Sequence, residues 1–252
     1  MSPEVEYSRA MVVMAHADDA EFSSSGTVAR WCHDGWEVVY VLCTDGSKGS
    51  SDPEATQKQL SETRRQEQLE AGKVLGLKDV VFLDYEDSKL QPTLELRRDI
   101  SREIRRHKPD ILVCMYPMRN LSGDWGLGHP DHMASGEAAL SAVYPTARDR
   151  LTFPELLDEG SEPHKVSEVW IVGHPEPDHR VDVTEHTDTA LAALKKHTSQ
   201  LGDWGDDKLS EFFRKWRRDR SVGTGMQYSE EFKRIVVDRF GRDDDDDEDA
   251  SS

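Results

Sequence analysis

Histidine and carboxylate side chains are concentrated in two short runs, Ala15-His16-Ala17-Asp18-Asp19-Ala20-Glu21 and Gly128-His129-Pro130-Asp131-His132. Imidazole and carboxylate are the borderline ligands Zn2+ favours, and a catalytic zinc takes three protein ligands plus a water that the metal makes acidic. Taken singly, either run reads as a loop whose carboxylates build turns and whose histidines face solvent. Brought into one crevice, four or five such groups supply a metal centre with a base beside it. The spacing also divides the labour. In an extended turn Asp18 and Asp19 project in roughly opposite directions, so one joins His16 on the metal while the other faces the metal-bound water. Pro130 suits the first position of a helix, which puts His129 at the cap and His132 three residues on along the same side. One imidazole then ligates while the other reaches the substrate, and Asp131 is placed to orient a histidine and fix its tautomer.

The elements that must bring these runs together are legible as a strand and helix alternation. Residues 11–15 and 38–43 read as buried strands, with a helix over 26–33 between them that ends at Gly35. Residues 57–75 give a long helix with Leu60, Leu69, Val74 and Leu75 inward and Gly76 as its stop. Strands follow at 80–83 and 111–115, separated by a helix over 94–107 that Pro109 blocks from continuing. A further helix starts at Pro130. This order predicts an α/β fold, a Rossmann-like three-layer sandwich on a mostly parallel sheet, in which ligands bind beyond the carboxyl ends of the strands at the point where strand order reverses. Both chemical runs fall there, after the first and fourth strands. No GxGxxG follows the first strand, so the dinucleotide reading lacks its glycines. Beyond Phe153 the pattern becomes strands at 169–172 and 181–183, then helices over 188–201 and 207–220. Residues 1–242 therefore read as one domain with a C-terminal extension packed on it.

Composition narrows the class. The 252 residues are 36% hydrophobic and 33% charged with a net charge of −18, seven of the acids lying in the tail at 243–249. That acidic tail, 243–252, is expected to be disordered. The only dense basic stretch, Arg214 to Arg220, is interrupted by an acid, so the footprint of a nucleic-acid binder is missing. No apolar run approaches the ~20 residues of a membrane span and the first ten residues are unlike a signal peptide. Cys32, Cys43 and Cys114 lie far apart with no CxxC pair, as expected of reduced thiols in a cytoplasmic protein.

With these residues in view, the sequence resembles the LmbE-like or PIG-L family of zinc-dependent N-acetylglucosamine deacetylases. The opening motif reads AHADDAE here and the second, HPDH, is unaltered. Between them lie the TDG turn (Thr44 to Gly46), the helix pattern Arg64, Glu67, Ala71, Leu75, Gly76, and the stretch Leu83, Tyr85, Asp87. The resemblance runs from about Met11 to Tyr144 and continues more weakly through residues 181–184 and Lys195 to Gln200. It implies that His16, Asp19 and His132 bind Zn2+, that Asp18 is the general base, that His129 stabilises the oxyanion or protonates the leaving amine, and that Arg64 and Asp87 touch a small N-acetylated amino-sugar substrate. Two positions depart from the pattern: the commoner motif has Glu directly after the two aspartates, whereas here Ala20 precedes Glu21, and some members carry Tyr where this chain has Leu127. Family members act on glycolipid, inositol, malate and chitobiose conjugates and include both monomers and homo-oligomers.

Other residues carry plainer expectations. Arg119 and Asn120, in the loop before HPDH, are candidates to hydrogen-bond a sugar, and Trp125 to stack on one. Ser23 to Ser25 read as helix caps. His33, His107, His164, His174, His179 and His186 lack ligand-like partners and are expected to be structural, while His197 is assigned to the core or the pocket rim.

Overall fold

The computed structural model describes residues 7–121, 127–202 and 204–237. The expected tail at 243–252 and Trp125 lie outside the described residues. The chain begins with β1 (Arg9–Met14), two short helices α1 (Asp19–Ser23) and α2 (Ser25–His33), and β2 (Glu37–Thr44). It continues through α3 (Gln57–Leu75), β3 (Asp79–Tyr85), α4 (Leu94–His107), β4 (Ile111–Met115) and α5 (Pro130–Ser141). The remainder is α6 (Glu155–Asp158), β5 (Glu168–Val172), β6 (His179–Asp182), α7 (Thr187–Leu194), α8 (Thr198–Leu201), α9 (Asp206–Arg220) and β7 (Ser229–Val236).

The strands form a seven-stranded sheet in the order β3-β2-β1-β4-β5-β7-β6. The first five are parallel, whereas β7 runs antiparallel to both β5 and β6. Order therefore reverses between β1 and β4, where the alternation of the sequence put it. β1 is covered on both sides: Val12 and Met14 join the cluster with Val28, Trp31, Ala71 and Leu75, and Met11 and Val13 join the opposite one with Leu96, Ile100, Ile104 and Ala138. A strand buried on both faces, with side chains alternating between two helical layers, is the three-layer sandwich expected.

Three local expectations are corrected. α3 has the expected ends, fixed by a Thr56–Gln59 capping box and a left-handed Gly76, but its buried stripe is largely polar: Arg64, Glu67, Gln68, Ala71, Gly72 and Leu75. Leu60, Leu69 and Val74 are only half-buried. The serines at 23–25 do not cap α2; their hydroxyls donate to the carbonyls of Asp19, Ala20 and Glu21 four residues back. The helix expected over 188–201 breaks into α7 and α8, with His197 at the joint.

β7 was not visible in the sequence because Ser229 to Val236 carries four charged residues in eight. Tertiary contacts compensate for that polarity. The Glu230 carboxylate is buried, where it accepts from the backbone N–H groups of Gly26 and Thr27 at the start of α2 and pairs with the buried Arg217 at 2.6 Å.

Candidate metal centre and active site

β1 runs directly into the first chemical run. His16 lies in a bend two residues beyond the strand's end, and Asp18 then takes φ 81°, a left-handed conformation, as the residue capping α1. The divergence of Asp18 and Asp19 thus comes from a left-handed turn, not from the extended turn expected. Asp19, the first helical residue, bends back: one carboxylate oxygen accepts from the His16 backbone N–H at 2.8 Å and lies 3.4 Å from His16 Nδ1, while the other is 3.1 Å from His132 Nε2.

The second run arrives from the neighbouring strand. Pro130 occupies the first turn of α5 and His129 is its cap, with His129 Nδ1 accepting the Asp131 backbone N–H at 3.2 Å. A ring whose Nδ1 is an acceptor carries its proton on Nε2, so His129 presents an N–H donor. His16, His129 and His132 offer ring nitrogens within 4.8 Å of one another. Asp19 bridges His16 and His132 through separate oxygens, His129 has one nitrogen occupied at its own helix cap, and a second group whose ligand atoms lie within the same distance joins His16 and His129 to Asp87 and Asp131.

Behind this cluster sit two more carboxylates. His16 Nε2 lies 3.3 Å from both Asp87 Oδ1 and Asp131 Oδ2. Asp131, completely buried, also accepts from the N–H groups of Ser88 and Leu90. Asp87 accepts from Lys48 N–H and Ser88 Oγ and lies 3.7 Å from Arg64 Nη1, which donates to the Gly46 carbonyl at 2.7 Å. Arg64 and Asp87 are therefore both buried and bonded beneath the site, with Asp87 turned to His16. Carboxylates behind a ligating histidine fix its ring and raise its basicity. Although burial works against the charged imidazole, Asp131, Asp19 and Asp87 together push His16 up to about 12. Burial raises Asp19, but His132 and His16 outweigh it and hold the carboxyl far below the usual range. Burial and the positive His16 and His132 lower His129.

Asp18 has a different environment. Burial and the adjacent Asp19 push its carboxyl well above the usual range, against which His197 acts. His197 is wholly buried with Nε2 3.3 Å from Glu21 Oε2, and Glu21 Oε1 accepts from Gln68 Nε2 at 2.9 Å. Burial disfavours the charged imidazole, but Glu21 and Asp18 raise its pKa. Glu21 is thus a buried bracing group between His197 and Gln68. Gln68 and Gln200 are not among the site residues expected from sequence, Glu67 enters there only as part of the helix pattern and His197 only at the core or the pocket rim; the signal that could have found Glu67 and Gln68 is the row of polar residues at helical spacing on α3.

Leu127 is 72% exposed and its carbonyl accepts from Arg119 Nη1. Arg119 and Asn120 line an open groove of about 500 Å3 with Tyr116, Leu121 and Pro175 beyond the carboxyl end of β4. The other histidines have structural partners where described: His164 Nε2 contacts the Pro109 carbonyl at 2.8 Å, His107 faces Glu103, and His179 packs on Trp170. No helix among the described residues is long and apolar enough to cross a membrane.

Known proteins resemble the chain over most of its length. The chain is 29% identical over 199 residues to diacetylchitobiose deacetylase of Thermococcus kodakarensis, covering 79% of this chain and 72% of that one. It is 27% identical over 233 residues to 1D-myo-inositol 2-acetamido-2-deoxy-alpha-D-glucopyranoside deacetylase of Actinosynnema mirum, covering 79% and 82%. The solved structure of N,N'-diacetylchitobiose deacetylase from Pyrococcus horikoshii superimposes with a TM-score of 0.82 at 27% identity, covering 92% of this chain and 85% of that one. The GlcNAc-PI de-N-acetylase (PIG-L) family matches residues 11–143, the span that contains both chemical runs, α3 and Asp87, and the chain belongs to that family.

Proposed function

We propose that the protein hydrolyses the N-acetyl group of an N-acetylglucosamine-containing small molecule, releasing acetate and a free amine, with Zn2+ held by His16, Asp19 and His132. The observation that carries this reading is the split at the left-handed turn: Asp19 joins two imidazoles while Asp18, its neighbour, stays out of that contact set. A site that only bound a sugar would have no need of a second carboxylate beside the ligands. The donor set fits the metal, since two imidazoles and one carboxylate with outer carboxylates on His16 make an N/O site of the kind zinc occupies in hydrolases.

When bound, zinc acidifies a coordinated water to a pKa of about 7 and polarises an acyl oxygen. Asp18 takes the proton of the attacking water, and its raised proton affinity suits a general base. The Nε2–H of His129 donates to the oxygen that becomes negative as the amide carbon turns tetrahedral. In its neutral form His129 serves as the oxyanion donor, and the proton taken up by Asp18 is the one passed to the departing amine; His129 would be the acid that protonates the leaving group only as the imidazolium, with Nδ1 freed from the Asp131 N–H and protonated. Asp131 holds His16 from behind, and its backbone N–H fixes the His129 tautomer. Arg119 and Asn120 contact the rest of the substrate from the groove, and Arg64 and Asp87 shape the floor beneath the reacting group. The three cysteines, all free thiols, fit a reducing, cytoplasmic setting.

The deciding experiment is a panel of acetylated amino sugars, including N,N'-diacetylchitobiose and an inositol-linked N-acetylglucosamine, assayed for acetate and amine together with metal analysis of the same sample. Stoichiometric acetate and amine from a zinc-loaded protein supports the reading. Tight binding of these sugars with no acetate from any of them would identify a binding protein instead.

A further inference from the structure

Resting on the assignment of Asp18 as the base, we propose that Gln68 and Gln200 are positioning residues that clamp the single peptide unit joining Ala17 to Asp18 and thereby hold the Asp18 carboxylate in its working direction. The two ends of that peptide are gripped from different elements. Gln200 Nε2, from α8, donates to the Ala17 carbonyl at 2.8 Å, and Gln68 Oε1, from α3, accepts the Asp18 N–H at 3.4 Å.

The clamp matters because of the backbone it holds. Asp18 has φ 81°, a region that an L residue other than glycine seldom occupies. Turning the plane of the peptide before Asp18 would swing its N–H and the Ala17 carbonyl to opposite sides and return Asp18 to negative φ with little change in the path of the chain. Such a flip would break both glutamine contacts; Asp18 Cβ would stay where it is, but the rotamers open to a side chain depend on φ, so the carboxylate would turn about χ1 away from its present direction. His16 and Asp19 are tied separately by the Asp19 carboxylate on the His16 N–H, so the ligands keep their places while the base is lost.

Each glutamine is itself fixed. The amide of Gln68 could present either end to Asp18, but its Nε2 donates to Glu21 Oε1, and a carboxylate accepts only from the nitrogen end. Its oxygen must then face the Asp18 N–H. Glu21 is in turn faced by buried His197. Gln200 is carried on a one-turn helix that would be poorly anchored alone, yet Glu67 on α3 accepts from Thr198 Oγ1, Ser199 N and Ser199 Oγ at 2.8, 2.7 and 2.6 Å. Glu67 and Gln68 are successive residues of the polar face of α3, so one helix sets both halves of the clamp.

The test uses the full chain with N,N'-diacetylchitobiose as probe substrate, zinc affinity from chelator competition, and amide hydrogen exchange at Asp18. Gln200→Leu removes the donor and Gln200→Glu keeps the size but offers the carbonyl no donor. In both, kcat is expected to fall on the order of 10- to 100-fold, the scale of a small misplacement of a reacting group, with KM and zinc affinity within about threefold of the parent. Combined with Asp18→Asn, neither should cost anything further, because the clamp acts only through Asp18. Exchange at the Asp18 amide should quicken on the order of tenfold in both variants as the peptide plane is freed. Parental kcat in both, an equal additional loss in the Asp18→Asn background, or a fall in zinc affinity matching the fall in kcat overturns the proposal. Should the variants fail to fold, the parent protein decides it: an Asp18 amide that exchanges as fast as an unstructured one has no clamp. Parental turnover by Asp18→Asn overturns the base assignment and with it the catalytic purpose of the clamp, while lack of turnover of the probe by the parent counts against the substrate alone and leaves the exchange measurement to judge the clamp.

Discussion

Two adjacent aspartates have opposite electrostatic surroundings, and in the proposed mechanism they divide the work of the site. Asp19 sits between imidazoles that favour its charge, and Asp18 is buried beside that charge. Asp18→Asn keeps volume and hydrogen bonding but cannot take a proton, so kcat is expected to fall on the order of 10²- to 10⁴-fold with zinc affinity and KM near parental. Loss of zinc as complete as in Asp19→Asn would mean that the two aspartates exchange roles. The carboxylates behind His16 give a graded expectation. His132→Ala removes a proposed ligand and should abolish stoichiometric zinc, whereas Asp87→Asn leaves the proposed ligands in place and should weaken zinc on the order of 10- to 100-fold. Competition with a chelator measures both. An Asp87→Asn protein with parental affinity would detach Asp87 from the metal site and return it to the substrate side.

At the scale of elements, the site depends on how closely α5 seats on the end of β4. A methyl added at Gly136 would lie 2.3 Å from the Met115 carbonyl oxygen and 3.3 Å from Pro117 N. Both are backbone atoms, so the helix itself must move. Gly136→Ala is expected to destabilise the fold by about 1 to 3 kcal/mol, the usual cost of overpacking. It should also loosen zinc, since His129 and His132 ride on the first turn of the same helix. Denaturant unfolding and chelator competition on one sample report the two effects; a stable Gly136→Ala protein with parental zinc affinity would show that α5 can slide without carrying its histidines off the site.

For the whole molecule, the charges of the site couple stability to pH and to metal. His16 and His197 have pKa values raised above those of an unfolded chain, so their contribution is fully present below about 6.5 and is lost as pH rises through the folded values. Asp19, Asp87 and Asp131 are depressed and contribute above about 4, the contribution fading as pH falls below that. Chelator-treated protein should therefore melt at its highest temperature between these limits and lose Tm steadily from pH 7 to 9. With zinc present the alkaline decline should shrink, because metal binding displaces the proton of His16 and tightens as pH rises. Melting curves with and without zinc at fixed salt test this, and a chelator-treated Tm that climbs through pH 9 would sink it.

How much of this was written locally follows from the range over which each feature is decided. Period and punctuation are local properties, so β1 to β4, the ends of α3 and α4 and the start of α5 at Pro130 were legible. With them came the reversal of strand order that brings His16 and His132 together. Ligand types and their spacing are local too, which is why the two chemical runs stood out. β7 was hidden because its polar residues are matched by partners far along the chain, Glu230 by Arg217 and by the N–H groups of α2. The buried face of α3 is hidden in the sequence for the same reason: Glu67 and Gln68 look like solvent-facing residues until α8 and the turn at Asp18 cover them. Sequence determined which groups could act and at which edge of the sheet they stand. The tertiary structure decided the directions in which they point, because a left-handed turn at Asp18 and a carboxylate on His16 Nε2 depend on contacts between residues that are distant in the chain and adjacent only once it has folded.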